Sequence, residues 1–299
     1  MNVAGSDPGG TQYLGLRKKA RAEGKPLDEL LTLYALEGLL GRLADSPDRE
    51  RFVLKGGVLL AAYDDRRPTR DADLLGQEMS NDAEQVTTRI AQIAARPRND
   101  GLVFDPGRTR SQVIREAHAY SGVRVYLTYT LATAQIQIGV DVNVGDPIFP
   151  GPQQVELPGL LPDSAPVVLR GYRLVSVIAE KAVTGMQRGI ANTRWRDYAD
   201  VWTLTGRHSF DADDVVQACR VVAAHRQTAL LPLADLITDG YPAVAQARWS
   251  RWISGQSRNP ALPSDFSGVL AAVAAFVDPA LLGQVPRHTW DPGARNWVP

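Results

Sequence analysis

Asp71 and Asp73 stand two residues apart in Arg67-Pro-Thr69-Arg-Asp71-Ala-Asp73-Leu-Leu75. Side chains alternate along a strand, so both carboxylates face the same way there. Side by side they repel each other strongly unless a divalent cation sits between them. Ahead of them, Lys55-Gly56-Gly57 follows the apolar run Phe52-Val53-Leu54. Glycine backbone N–H groups are unhindered and can approach phosphate oxygens. A glycine turn placed just before paired ligands suits nucleotidyl transfer, which fixes metal ions against phosphates and neutralises the charge that develops. Two-metal sites achieve this with carboxylates bridging ions about 4 Å apart. Taken singly, Asp-x-Asp also describes an edge strand with solvated acids, and Gly-Gly a simple turn.

A third carboxylate lies in Gln135-Ile-Gln-Ile-Gly-Val-Asp141-Val-Asn143. Ile136, Ile138 and Val140 alternate onto one face, which leaves Asp141 with Gln135, Gln137 and Asn143 on the polar one. If this strand runs beside that of Asp71, its carboxylate joins the pair; otherwise it is an outward polar residue. Asp146 reads as a turn former. Farther on, Lys181 and Arg188 are seven residues apart and share a helix face. From 181 to 207 there are five cations (Lys181, Arg188, Arg194, Arg196, Arg207) against two acids, Asp197 and Asp200. Such a face suits a triphosphate or an RNA backbone, although a salt-bridged helix pair would have the same composition.

The elements that must position these groups follow from periodicity. Residues 1–10 read as a loose tail. Leucines at helical spacing predict a helix over 26–44, and 82–95 predicts another, stopped by Pro97. Residues 52–54 and 71–75 read as strands, with a helical turn or two over 57–63. Residues 123–130 and 134–144 alternate and predict a hairpin across Leu131-Ala-Thr133. Shorter strands are expected near Val155 and over 167–169. Beyond Leu174 the patterns are helical: 174–188, 194–205, 211–224, 228–238, 241–253 and 265–276. Pro286–Pro299, with two tryptophans and three prolines, reads as an irregular tail. The expectation is an α/β (α+β) domain over 1–172 followed by a helical domain over 173–299.

Composition narrows the class. Hydrophobic residues make 44% and charged residues 22%, as in soluble globular proteins. There is no run of ~20 apolar residues to span a membrane and no signal-peptide pattern at the N-terminus. Cys219 is the single cysteine, which excludes an internal disulfide and favours a cytoplasmic location. The 33 basic and 33 acidic residues cancel, which neither indicates nor excludes a local basic face.

In order along the chain, Lys55-Gly56-Gly57, Arg67-x-Thr69-x-Asp71-x-Asp73, Asp141-Val-Asn-Val-Gly145-Asp146, Glu180-Lys181 with Arg188, and Arg196-Asp197-x-x-Asp200 resemble the AbiEii/AbiGii-type nucleotidyltransferase toxin family. That family includes the MenT-like mycobacterial toxins. The resemblance runs from about Phe52 to Trp202 and implies a DNA-polymerase-β-like nucleotidyltransferase core followed by a helical domain. It implies the active half of a toxin–antitoxin pair, with a possible cognate antitoxin, Mg²⁺ as cofactor, and transfer from an NTP to the 3′ end of tRNA that blocks translation. By motif position, the catalytic set would be Thr69, Asp71, Asp73, Lys181 and Asp197. The nucleotide-binding set would be Lys55, Gly56, Gly57, Thr69, Lys181 and Arg188, and the metal ligands Asp71, Asp73 and Asp141. The wider superfamily has Gly-Ser where this chain has Gly56-Gly57, so Thr69 would replace the serine hydroxyl. The same chemistry on a protein or small-molecule acceptor is an alternative, as is a non-catalytic nucleotide-binding module.

Overall fold

The computed structural model describes residues 8–115, 121–254 and 262–299. They divide between two compact units, Met1–Asp146 with Pro152–Tyr172, and Pro147–Gly151 with Arg173–Pro299. The first unit opens with α1 (Pro8–Glu23) and α2 (Leu27–Ala44). Residues 8–10 therefore begin a helix where a tail was expected, and 1–7 lie outside the described residues. The helix escaped detection because it buries only Gly9, Gly10, Leu16 and Ala20, too few large apolar groups for a readable period. α2 instead buries leucines on most sides, from Leu30 to Leu43.

There follow β1 (Phe52–Lys55), a helical turn α3 (Gly56–Leu59) continued as a 3₁₀ turn over Leu60–Tyr63, β2 (Asp71–Gly76) and α4 (Ala83–Ala94). Then come β3 (Leu102–Phe104), β4 (Arg110–Arg115), β5 (Ser121–Leu131), β6 (Ala134–Val144), β7 (Gln153–Leu157) and β8 (Val167–Gly171). They form one mixed sheet in the order β3-β5-β6-β2-β1-β8-β7, with β4 also paired to β5. Neither β3 nor β4 was expected: the first has three residues, and β4 is largely exposed on both faces, so it lacks the alternation that marks a half-buried strand.

β5 and β6 make the expected hairpin, but Leu131 pairs with Ala134, leaving a two-residue turn, with Ala132 at a φ of 51°, rather than a three-residue one. β2 lies between β1, to which it is antiparallel, and β6, to which it is parallel. α1 and α4 pack on β5, and α2 on β6 and β8. The alternation of β5 and β6 turns Val123, Val125, Leu127, Ile136, Ile138 and Val140 into the core. It leaves the other sheet face to polar residues.

The second unit comprises α5 (Leu174–Arg188), α6 (Trp195–Thr205), α7 (Ala212–His225), α8 (Ala234–Thr238), α9 (Tyr241–Ser254) and α10 (Phe266–Leu281). The helix expected over 228–238 is confined to α8. Pro232 excludes helix before it, and the buried Asp278 carboxylate accepts from Leu233 N and Ala234 N at 2.8 and 2.9 Å. The C-terminal segment is not irregular: β9 (Thr289–Asp291) and β10 (Asn296–Val298) pair antiparallel. They bury Trp290 and Trp297 against Phe276.

In the first unit, one buried arginine ties α2 to the sheet. Arg42, 3% exposed, donates to both Asp100 oxygens at 2.5 and 3.0 Å and to the carbonyls of Gly38, Arg96 and Leu102. Removing one partner of such a pair strands the other charge. Asp100→Ala is therefore expected to lower stability by about 3–5 kcal/mol in urea titrations; a loss below about 1 kcal/mol would show that Arg42 is satisfied by its carbonyls alone.

Candidate active site

Strand register places the predicted carboxylates. Lys55 pairs with Asp73, Asp73 with Asp141, Asp141 with Arg124 and Arg124 with Gln112. Direct partners in adjacent strands project on the same side, so one transverse row reads Lys55–Asp73–Asp141–Arg124–Gln112. A second row, two residues along β2, reads Asp71–Gly139–Tyr126–Arg110. Both rows lie on the polar face. The strand of Asp141 does run beside that of Asp71, as the sequence allowed.

Glycines make room for the acids. Gly56 has a φ of +67°, and a Cβ there would lie 1.8 Å from Asp73 Oδ2. A Cβ on Gly139 would lie 2.3 Å from Asp71 Oδ1. Gly57 is covered by the Arg67 guanidinium, 3.1 Å from where its Cβ would stand. Thr69 Oγ1 donates to the Asp71 carbonyl at 3.2 Å, which ties the turn before β2 to the strand. Gly57, Arg66, Arg67 and Thr69 line a shallow hollow that also reaches Glu37.

The charges are distributed unevenly. Arg124, absent from the sequence-predicted set, forks onto Asp141, with Nε to Oδ1 at 2.6 Å and Nη2 to Oδ2 at 2.5 Å. The same Nη2 lies 3.6 Å from Asp71 Oδ2. Lys55 Nζ reaches Asp146 Oδ2 at 3.0 Å, so the presumed turn former also carries an ion pair. Burial pushes the Asp73 carboxyl up to about 6; Asp141 and Asp71 push the same way, while Lys55 and Arg67 oppose them.

The second unit holds the other predicted residues. On α5, Lys181 donates to Asp197 Oδ1 at 2.9 Å and to Asp200 Oδ2 at 2.6 Å, both on α6. Arg194 Nε stands 3.3 Å from Asp197 Oδ2. Asp200 is the more buried acid, and its spacing of three residues from Asp197, just under one helical turn, lets both reach one ammonium. Arg188 ends α5 and is exposed.

Asp71 and Asp73 are hard oxygen donors on one face, which is the donor chemistry Mg²⁺ takes. Among the described residues, however, no group of three or more His, Cys, Asp or Glu is arranged to hold a metal ion. In the row, the third carboxylate has both oxygens on Arg124. The pair has the donor chemistry for a cation, while Asp141 is engaged by a guanidinium.

Residues 38–273 match the family described as Nucleotidyl transferase AbiEii toxin, Type IV TA system. The chain belongs to the AbiEii family. This AbiEii member is accordingly a nucleotidyltransferase, and membership in a type IV toxin–antitoxin family implies a nucleotide substrate and a cognate antitoxin. Two solved structures from Helicobacter pylori share its fold. JHP933 is 14% identical with a TM-score of 0.51, covering 86% of this chain and 94% of its own. A "putative nucleotidyltransferase" is 16% identical with a TM-score of 0.52, covering 86% and 97%. No curated protein sequence matches the chain. Among the described residues of this AbiEii chain, no helix is long and apolar enough to cross a membrane.

The Asp73 carboxyl gives a pH signature. Its folded value of about 6 lies above the unfolded 3.8, so the folded state holds the proton more tightly and loses stability as pH rises between these values. Asp73→Asn removes the charge and is expected to stabilise the divalent-free protein by on the order of 1–3 kcal/mol above about pH 6. The gain should shrink toward pH 4 in pH-dependent thermal melts. A gain that is flat with pH, or a destabilisation at pH 8, contradicts this electrostatic account.

Proposed function

We propose that this chain is a Mg²⁺-dependent nucleotidyltransferase toxin that moves a nucleotide from an NTP onto an RNA 3′ end, that of tRNA, in the cytoplasm, and thereby blocks translation. In this reading the first unit is a DNA-polymerase-β-like core. The observation that carries the chemistry is the placement of Asp71 and Asp73 on one sheet face against Gly56-Gly57, with the acids accommodated by glycines.

The roles of the chain's own groups follow. Asp71 and Asp73 bind the cation, and Lys55, Gly56, Gly57 and Thr69 orient the phosphates through an ammonium, unhindered backbone N–H groups and a hydroxyl. Mg²⁺ bound there would neutralise phosphate charge and make the attacking hydroxyl more acidic. For Lys181, fixed by Asp197 and Asp200, and for Arg188, the nucleotide-binding role is the one that the family resemblance assigns by motif position. Asp197 thus acts by positioning Lys181.

An RNA acceptor is favoured by the second row. Arg110 lies over the Tyr126 ring, 4.9 Å from its centroid, and donates to Gln137 Oε1 at 3.2 Å. Arg108 donates to Gln135 Oε1 at 2.9 Å. Tyr126 and Arg110 sit on the polar face in line with Asp71, separated from it by the bare Gly139. An aromatic ring with arginines beside it suits unstacked bases and a phosphate backbone.

Incubation with labelled NTPs, Mg²⁺ and total tRNA is expected to label RNA. Asp71→Ala or Asp73→Ala should reduce transfer at least about 100-fold with unchanged circular dichroism. Label in protein bands and none in RNA would move the acceptor to protein, and near-wild-type rates in both variants would remove the pair from the mechanism. Arg110→Ala and Tyr126→Ala should each weaken binding of single-stranded RNA, measured by fluorescence anisotropy, by roughly 5- to 100-fold while NTP affinity holds. Unchanged RNA affinity in both variants would exclude this face from acceptor binding.

A further inference from the structure

Arg124 was not among the residues expected to take part, yet it forms ion pairs with two of the three carboxylates. We propose that it is a built-in cation filling the seat that a second divalent ion would take, so that the site binds one ion, on Asp71 and Asp73, while Asp141 stays committed to the guanidinium. The inference rests on the nucleotidyltransferase reading for the first ion, but its own evidence is geometric.

Two-ion sites need carboxylates that bridge both ions. In the row, the carboxylate opposite Asp73 is that of Asp141, the natural third ligand. Both its oxygens accept from Arg124, at 2.6 and 2.5 Å, the fork-to-fork arrangement in which a guanidinium binds a carboxylate best. Arg124 also leans to within 3.6 Å of Asp71, so one fixed positive charge touches two of the three acids. It is directly opposite Asp141 in the hairpin register, and its own neighbour on the far side is the neutral Gln112. The ion pairs of Arg124 go to Asp141 and Asp71. The pair is sheltered: the Asp141 side chain is 14% exposed, where water competes less for the bond.

A guanidinium keeps its charge throughout the accessible pH range, so only displacement would open the third carboxylate to an ion. The expected consequence is a site with unit stoichiometry whose second seat is closed by a side chain.

Mn²⁺ titration of the full chain, read by calorimetry and by electron paramagnetic resonance of the free ion, counts the sites without turnover. Wild type is expected to bind one Mn²⁺. Arg124→Gln should bind two, and the double variant Arg124→Gln/Asp141→Asn should return to one. Two ions in wild type, or one in Arg124→Gln, overturns the proposal while leaving the Asp71–Asp73 assignment intact. No bound Mn²⁺ in wild type overturns both. Arg124→Met provides a second uncharged variant should the glutamine not fold, and it should likewise bind two ions. A single ion at saturating Mn²⁺ in Arg124→Met overturns the proposal.

Discussion

Three carboxylates on neighbouring strands of one sheet face repel one another, and the backbone hydrogen bonds that set the register leave them no way to separate. Asp73 and Asp141 are direct partners, with Cβ atoms held about 5 Å apart by the ladder. The rest of the first unit's polar face answers that repulsion. Arg124 neutralises Asp141, Lys55 begins the same row beside Asp73, and Gly56 and Gly139 withhold side chains where the acids need space. Burial, with the two neighbouring acids adding to it, leaves its mark on Asp73, whose carboxyl keeps its proton to about 6.

The same device recurs away from the sheet. Lys181 is gripped by Asp197 and Asp200, and Arg42 by Asp100 with three carbonyls. Each is a cation held by acids from another part of its own unit. Buried pairs of this kind add little net stability against apolar replacements, yet losing one partner is costly. Their value lies in fixing position: α2 on the sheet in the first case, α5 against α6 in the second.

Much of this was legible in the sequence because it rests on local patterns. The Asp-x-Asp spacing, the Gly-Gly turn and the alternation around Asp141 gave the faces, and the leucine period gave α2. Arg124 was hidden by a single residue. With the turn taken as Leu131-Ala-Thr133, counting back along β5 sets a different residue opposite Asp141; with the observed two-residue turn, Arg124 falls there. A slip of one exchanges the two faces of a strand, so the boundary error concealed the pairing although both strands were expected. The C-terminal hairpin was missed for another reason: its three-residue strands owe their order to Trp290 and Trp297 packing on Phe276, a tertiary contact without a local period. α1 likewise offers too little apolar surface to announce itself.

Gly139 contributes no side chain, and that blank has a consequence for scale. It lies on the strand between Asp71 and Tyr126, so acid and ring are two strand spacings apart, roughly 9.5 Å before twist. Hydrogen bonds along the backbone set that interval, and no exchange of side chains on β2 or β5 can lengthen or shorten it. The sheet is in this respect a ruler with a notch cut in it: whatever spans the two groups must match a length fixed by peptide geometry, and must cross β6 flat against its main chain.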